Sequence, residues 1–111
     1  MASLQKTYQL RLHSQWAINE KVALEIAYAG AQAGLRSAVA MKQVGLNVAA
    51  DSLVSAVYLG VVGGLVIIAC DDPGPHSSQT EQDTRLMARL AKAPVLDPSS
   101  PAEARAMVKS A

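Results

Sequence analysis

Glu20 and Glu25 lie in the run Trp16-Ala-Ile-Asn-Glu-Lys-Val-Ala-Leu-Glu25, where a carboxylate among apolar residues is a natural agent of proton transfer. Five residues apart on a helix, they stand about 140° from one another, so both cannot face one bound group. Glu20 also has a plainer reading, as a solvated first-turn acid favoured by the helix dipole. A second cluster is Asp71-Asp-Pro-Gly-Pro-His-Ser-Ser78, which follows an apolar run. Loops at the carboxyl ends of strands are where open α/β sheets bind ligands, which gives Asp72, His76 and Ser77 a substrate-side reading. An ordinary exposed loop is the alternative. Asp71 and Asp72 together suggest a metal pair, yet adjacent loop carboxylates more often form turns, and no metal site is expected. Cys70 is the single cysteine, so the chain itself carries no internal disulfide and no iron–sulfur cluster. An inert core position is expected for it. His13 has no partner nearby in sequence and is expected on the surface.

The elements that must position these groups are legible from periodicity and punctuation. Asn19 is a good N-cap with Glu20 in the first turn, and Val22, Ala23, Ile26, Ala27 and Gly30 form one face of a helix that Gly34 can end. Ser37 to Met41 reads as a short strand. Val44-Gly45-Leu46-Asn47 reads as a turn into a second helix, with Gly45 serving its backbone. From Ser52 to Cys70 no residue is charged. A membrane span is disfavoured, because Gly60, Gly63 and Gly64 break the run and Asp flanks both ends. A helix, a turn and a buried strand at Leu65–Cys70 are expected instead. A third helix is expected from near Thr80, with Asp83 as its capping-box partner. Pro94-Val-Leu96 follows as a third strand, and a last helix starts at Ser100-Pro101-Ala102-Glu103. Alternating strands and helices predict an α/β fold, a three-layer parallel sheet with helices on both faces. Tyr8, Leu10 and Leu12 alternate as an edge strand would.

With 111 residues the chain holds one domain, and a formal charge of +1 without a basic block gives nucleic acid no purchase. The stretch from Met1 to Ser14 has no apolar signal region, so a cytoplasmic protein is expected.

Three runs go further: Trp16 to Glu25, Met41-Lys-Gln-Val-Gly-Leu-Asn-Val-Ala-Ala-Asp51, and Asp71-Asp-Pro-Gly-Pro-His-Ser-Ser-Gln-Thr-Glu-Gln-Asp83. In order and spacing they resemble the large subunits of indolepyruvate ferredoxin oxidoreductases, a family of thiamine-diphosphate-dependent 2-oxoacid oxidoreductases. The resemblance runs from residue 15 to the end. It implies a partial, incomplete pyrimidine-binding domain at 15–111, preceded by a dissimilar segment at 1–14. It also implies that Glu20 is the catalytic glutamate that hydrogen-bonds N1′ of the cofactor's pyrimidine. Proton sharing there favours the imino form of the 4′-amino group, which then removes the thiazolium C2 proton. Such an acid works best when desolvated between subunits. Gly45 and Asn47 would line the same ring.

The resemblance further implies oxidative decarboxylation of a 2-oxoacid, an aryl pyruvate such as indolepyruvate, with electrons passed to ferredoxin. Thiamine diphosphate and Mg²⁺ would be shared with a diphosphate-binding domain outside this chain, and the iron–sulfur clusters would lie elsewhere in the complex. The family's first strand, loop and helix have no counterpart here, so an inactive fragment, a truncated product and one part of a split enzyme all remain open. A homo-oligomer, or a complex with the remaining oxidoreductase domains, follows as the expected assembly. The rival class is a non-catalytic α/β interaction or small-molecule-binding module.

Overall fold

The computed structural model describes residues 12–111. Leu4 to Arg11, most of the expected edge strand, lies outside them. Helix α1 spans Glu20–Gln32, strand β1 Arg36–Lys42, helices α2 and α3 Gln43–Val48 and Ala50–Leu59, strand β2 Gly64–Cys70, and helices α4 and α5 Thr84–Ala91 and Pro101–Met107. β1 and β2 pair in parallel, from Arg36 opposite Gly64 to Lys42 opposite Cys70. Parallel neighbours need a crossover, and α2 with α3 supplies it.

Local chemistry sets the helix ends. Asn19 is extended and its Oδ1 accepts from the Val22 amide at 2.9 Å. At the other end of α1, Gly34 takes φ +85°, its amide donates to Ala31 and the Leu35 amide donates to Gly30, a Schellman closure that turns the chain into β1. Ser100 caps α5 through the Glu103 amide at 3.2 Å, with Pro101 at the first helical position. The expected start near Thr80 is corrected to Thr84. Asp83 is itself the N-cap, accepting from the Arg85 amide, while Asp71 reaches across to the Thr84 amide at 2.9 Å.

The core gathers Leu24 and Ala27 of α1, Val39 and Met41 of β1, Leu46, Ala49 and Leu53, with Leu65, Ile67 and Ala69 of β2 packed against it. Alternation puts Ala38, Ala40, Val66 and Ile68 on the opposite face of the sheet. They line an open trough with Ile26, Gly30 and Val108. Among the described residues the sheet therefore has two strands and a core on one face, short of the three layers expected from the alternation. α1 buries Leu24, Ala27 and Ala31, so its inward stripe is Glu20, Leu24, Ala27 and Ala31, and Ile26 stays 46% exposed.

Two further expectations are corrected. Pro94–Leu96 is no strand: Pro94 lacks an amide donor, Lys92 before it is left-handed at φ +61°, and Asp97 is drawn to Arg85 at 2.8 Å. Cys70 is exposed and not a core residue, because it ends β2 where no described element covers it.

β1 and β2 begin where backbone meets backbone. Gly63 donates to Ala31 O at 2.7 Å, and a Cβ there would fall on Leu35 O and lie 2.7 Å from Gly34 C. Main-chain atoms cannot rotate aside. Gly63→Ala should therefore cost about 1–3 kcal/mol in urea unfolding, and a change within experimental error would show that this crossing is loose.

Candidate functional site

Glu20 and Gly45 lie on the first turns of α1 and α2, and Asp72, His76 and Ser77 on the loop between β2 and α4, beyond the carboxyl ends of the strands. Glu20 opens the buried stripe of α1 and is itself half-buried. Its side chain lies directly on Gly45 of α2: a Cβ on Gly45 would overlap Glu20 Cγ and stand 3.0 Å from Cδ and 3.1 Å from Oε1. Gly45 is buried within a helix, which corrects its expected place in a tight turn. Its lack of a side chain serves close approach. Among the described residues, no hydrogen bond or ion pair engages the Glu20 carboxylate.

Glu25 is differently placed. It accepts from the Ser52 hydroxyl at 3.0 Å and stands 3.9 Å from Lys21, which also bonds Asp51 at 3.0 Å. The hydrogen bond from Lys21 to Asp51, with the charges of Asp51 and Glu25, holds the Lys21 ammonium above its ordinary pKa. Glu25 thus ties α1 to α3, whereas Glu20 is left for other work.

The loop after β2 is fastened to α2 by side chains. Asn47 donates to Gln82 Oε1 at 2.7 Å, and the fully buried Gln43 donates to Thr80 O at 3.2 Å. Lys42, the last residue of β1, donates to Ser77 Oγ at 3.0 Å and stands 3.8 Å from Asp72. Asp72 accepts from the Ser77 amide at 3.2 Å. That amide, more than the Lys42 charge, holds the Asp72 carboxyl below its ordinary range. His76 lies exposed on the same loop. The structure thus joins Glu20 to Gly45, Asp72 to Ser77, and Asn47 to the loop, but shows no contact between Glu20 and that loop. Sequence reasoning overlooked Lys42 and Gln43, although both stand in the Met41–Asp51 run just before Gly45.

The arrangement offers a half-buried acid lying flat on the backbone of α2, about one helical turn from Lys42. A carboxylate with no partner among the described residues can share a proton with a bound group. Asp71 closes the β2–α4 loop on Thr84 and Asp72 closes its own turn, so both act as loop formers. No group of three metal-binding side chains occurs among the described residues.

Comparison with known proteins places this arrangement in context. The chain is 57% identical over 100 residues to indolepyruvate oxidoreductase subunit IorA of Thermococcus kodakarensis, covering 90% of this chain and 16% of that protein. It is 54% identical over 100 residues to the subunit IorA of Pyrococcus abyssi, 90% of this chain and 15% of that one. With the subunit from Archaeoglobus fulgidus it shares 46% over 101 residues, 91% and 16% of the two chains. The chain spans about one sixth of the length of the relatives it matches. No protein-family model matches it, and no solved structure does so significantly. The resemblance carried by the three runs therefore holds over nine-tenths of the chain.

The Asp72–Ser77 turn is sensitive to acid in a defined direction. A carboxyl held below its ordinary value of 3.8 supports the fold above that pH and loses its effect as pH falls through the lower, folded value. The Ser77 amide resonance should titrate with a midpoint below 3.8 and become pH-independent in Asp72→Asn. A midpoint above the ordinary value would remove the turn's electrostatic basis.

Proposed function

We propose that this chain, similar over nine-tenths of its length to indolepyruvate oxidoreductase subunit IorA, forms the pyrimidine-side wall of a thiamine-diphosphate site in a 2-oxoacid oxidoreductase. The observation that carries the reading is the contact between Glu20 and Gly45. One places an uncommitted carboxylate at the first turn of a helix, and the other leaves room for that side chain to lie on α2. When bound, thiamine diphosphate supplies a nucleophilic carbon and an electron sink for decarboxylation.

The chain's own residues would do three things. Glu20 would share a proton with the pyrimidine nitrogen N1′. Gly45 would let Glu20 lie against α2 so that its carboxylate is held beside the ring, and Asn47 would fix the neighbouring loop through Gln82. Glu25, engaged by Ser52, would hold α1 at its angle to α3 and take no part in the chemistry. The substrate would be an aryl pyruvate such as indolepyruvate, with electrons passing to ferredoxin through clusters on other parts of the assembly, since a single cysteine builds none. The diphosphate and its Mg²⁺ would rest on a separate domain. This chain alone would then be inactive.

Trp16 and Ile18, in the segment that leads into Glu20, are 87% and 90% exposed. Large apolar side chains beside a half-buried acid support a site completed by another domain or another copy of the chain. Covering them would desolvate Glu20, and companion elements would complete the sheet to three layers. No described helix is long and apolar enough to cross a membrane; a cytoplasmic assembly belongs to the same proposal.

Glu20→Gln preserves shape and removes the shared proton. In an enzyme reconstituted from this chain and its complementary domains, C2–H exchange on the bound cofactor should fall at least 100-fold, about 3 kcal/mol on the barrier. Glu25→Gln should leave the rate within a few-fold. Equal losses at both positions would defeat the assignment.

A further inference from the structure

We propose that the Lys42 ammonium and the Ser77 hydroxyl form a recognition site for the substrate's carboxylate at the carboxyl end of the sheet, with Asp72 as its internal competitor. The proposal rests on reading the chain as part of a 2-oxoacid enzyme. It assigns the acid end of the substrate to residues that the pyrimidine wall does not use.

The geometry around Lys42 is that of an under-neutralised cation. An ammonium carries three donors. One meets Ser77 Oγ at 3.0 Å, and a second meets Ser77 O at the long distance of 3.4 Å. Asp72 Oδ2 stands 3.8 Å away, within ion-pair range but outside hydrogen-bond range. Asp72 instead spends its oxygen on the Ser77 amide at 3.2 Å and approaches the Ser77 hydroxyl only to 3.5 Å. A carboxylate from solution can do better on both counts. It can accept from Lys42 and from Ser77 Oγ together, two charge-assisted bonds shorter than those Asp72 makes. The Lys42 side chain is 42% exposed, so its charge is open to a solute.

The surrounding acids do not compete for the position. Asp71 is bound to Thr84 at 2.9 Å, and Asp83 is bound to Arg85 at 2.8 Å. Place matters as well. Lys42 is the N-cap position of α2, and Gly45, three residues on, touches Glu20. Along the chain, Lys42 precedes the Gly45 contact by about one helical turn, roughly 5 Å of axis. Both therefore belong to the start of α2, at the carboxyl end of β1. Lys rather than Arg suits a shallow site of this kind, because a point charge tolerates substrates of different shape.

The test uses the full chain and phenylpyruvate as probe, with its uncharged methyl ester as control. In ¹⁵N-labelled protein, millimolar phenylpyruvate should shift the Ser77 amide and the Lys42 Nζ resonance saturably, and the ester should leave both in place. Lys42→Met should weaken binding at least tenfold, and Lys42→Arg should restore part of it. Ser77→Ala should lose several-fold while Lys42 remains, which covers the case in which Lys42→Met unfolds the loop. Asp72→Asn should bind about threefold tighter or more, a gain that a purely structural latch would not show. Shifts scattered over Lys92, Arg105 and Lys109 that persist in Lys42→Met would overturn the site, as would weaker binding in Asp72→Asn. Binding needs no thiamine diphosphate, so its failure leaves the role of Glu20 standing, and loss of that role would leave carboxylate binding intact.

Discussion

The contact between Glu20 and Gly45 is the constraint on which the rest of the site depends. With any side chain at position 45, Glu20 could not lie where it does, since the first carbon would occupy the space of Glu20 Cγ. Removing that carbon lets an acid from the first turn of one helix lie against the backbone of another. The acid is half-buried there without a partner among the described residues. Its oxygens are therefore open to a ligand. Glu25 shows the contrast within the same helix. Its carboxylate is bonded by Ser52 and steadied by Lys21, the ordinary fate of an acid that holds structure together.

The scaffold beneath this contact is economical. Two parallel strands, joined by α2 and α3, put their carboxyl ends beside the first turns of α1 and α2, so a single crossover brings together three chain segments distant in sequence. Packing of Leu24, Val39, Met41, Leu46 and Leu53 fixes one face of the sheet. The other face, with Ala38, Ala40, Val66 and Ile68, remains a trough. A parallel sheet is ordinarily covered on both sides. The small size of the alanines and the apolar character of Ile68 suit a face prepared for further packing, which agrees with relatives about six times as long as this chain.

Much of this was legible in the sequence, wherever a local rule decided the outcome. Asn19, Gly34, Ser100 and Pro101 act through bonds to residues within a few positions, so the bounds of α1 and α5 follow from their types. The β-branched run after Gly64 could hardly be other than a strand. Features that depend on distant partners were hidden. Lys42 and Ser77 are 35 residues apart and meet only because the loop after β2 folds back over α2. The role of Gly45 required knowing that Glu20 would lie on it. Pro94–Leu96 has the apolar character of a strand, but its proline and the pull of Arg85 on Asp97 act against pairing. Cys70 misled because burial was inferred from the strand as a whole, while its last residue stands beyond the packed face.

Titration of the ¹⁵N-labelled chain with thiamine diphosphate and Mg²⁺ tests most directly whether a thiamine pyrimidine binds at the Glu20–Gly45 contact, with the Glu20 and Gly45 amides as reporters. With only one wall of the site present, binding should be weak, in the millimolar range, and its shifts should centre on residues 20 and 45. Gly45→Ala should abolish them while the remaining spectrum stays folded, because the added carbon displaces Glu20 from its place on α2. Shifts that survive Gly45→Ala and Glu20→Gln unchanged, or a submillimolar affinity centred elsewhere on the chain, would contradict the account.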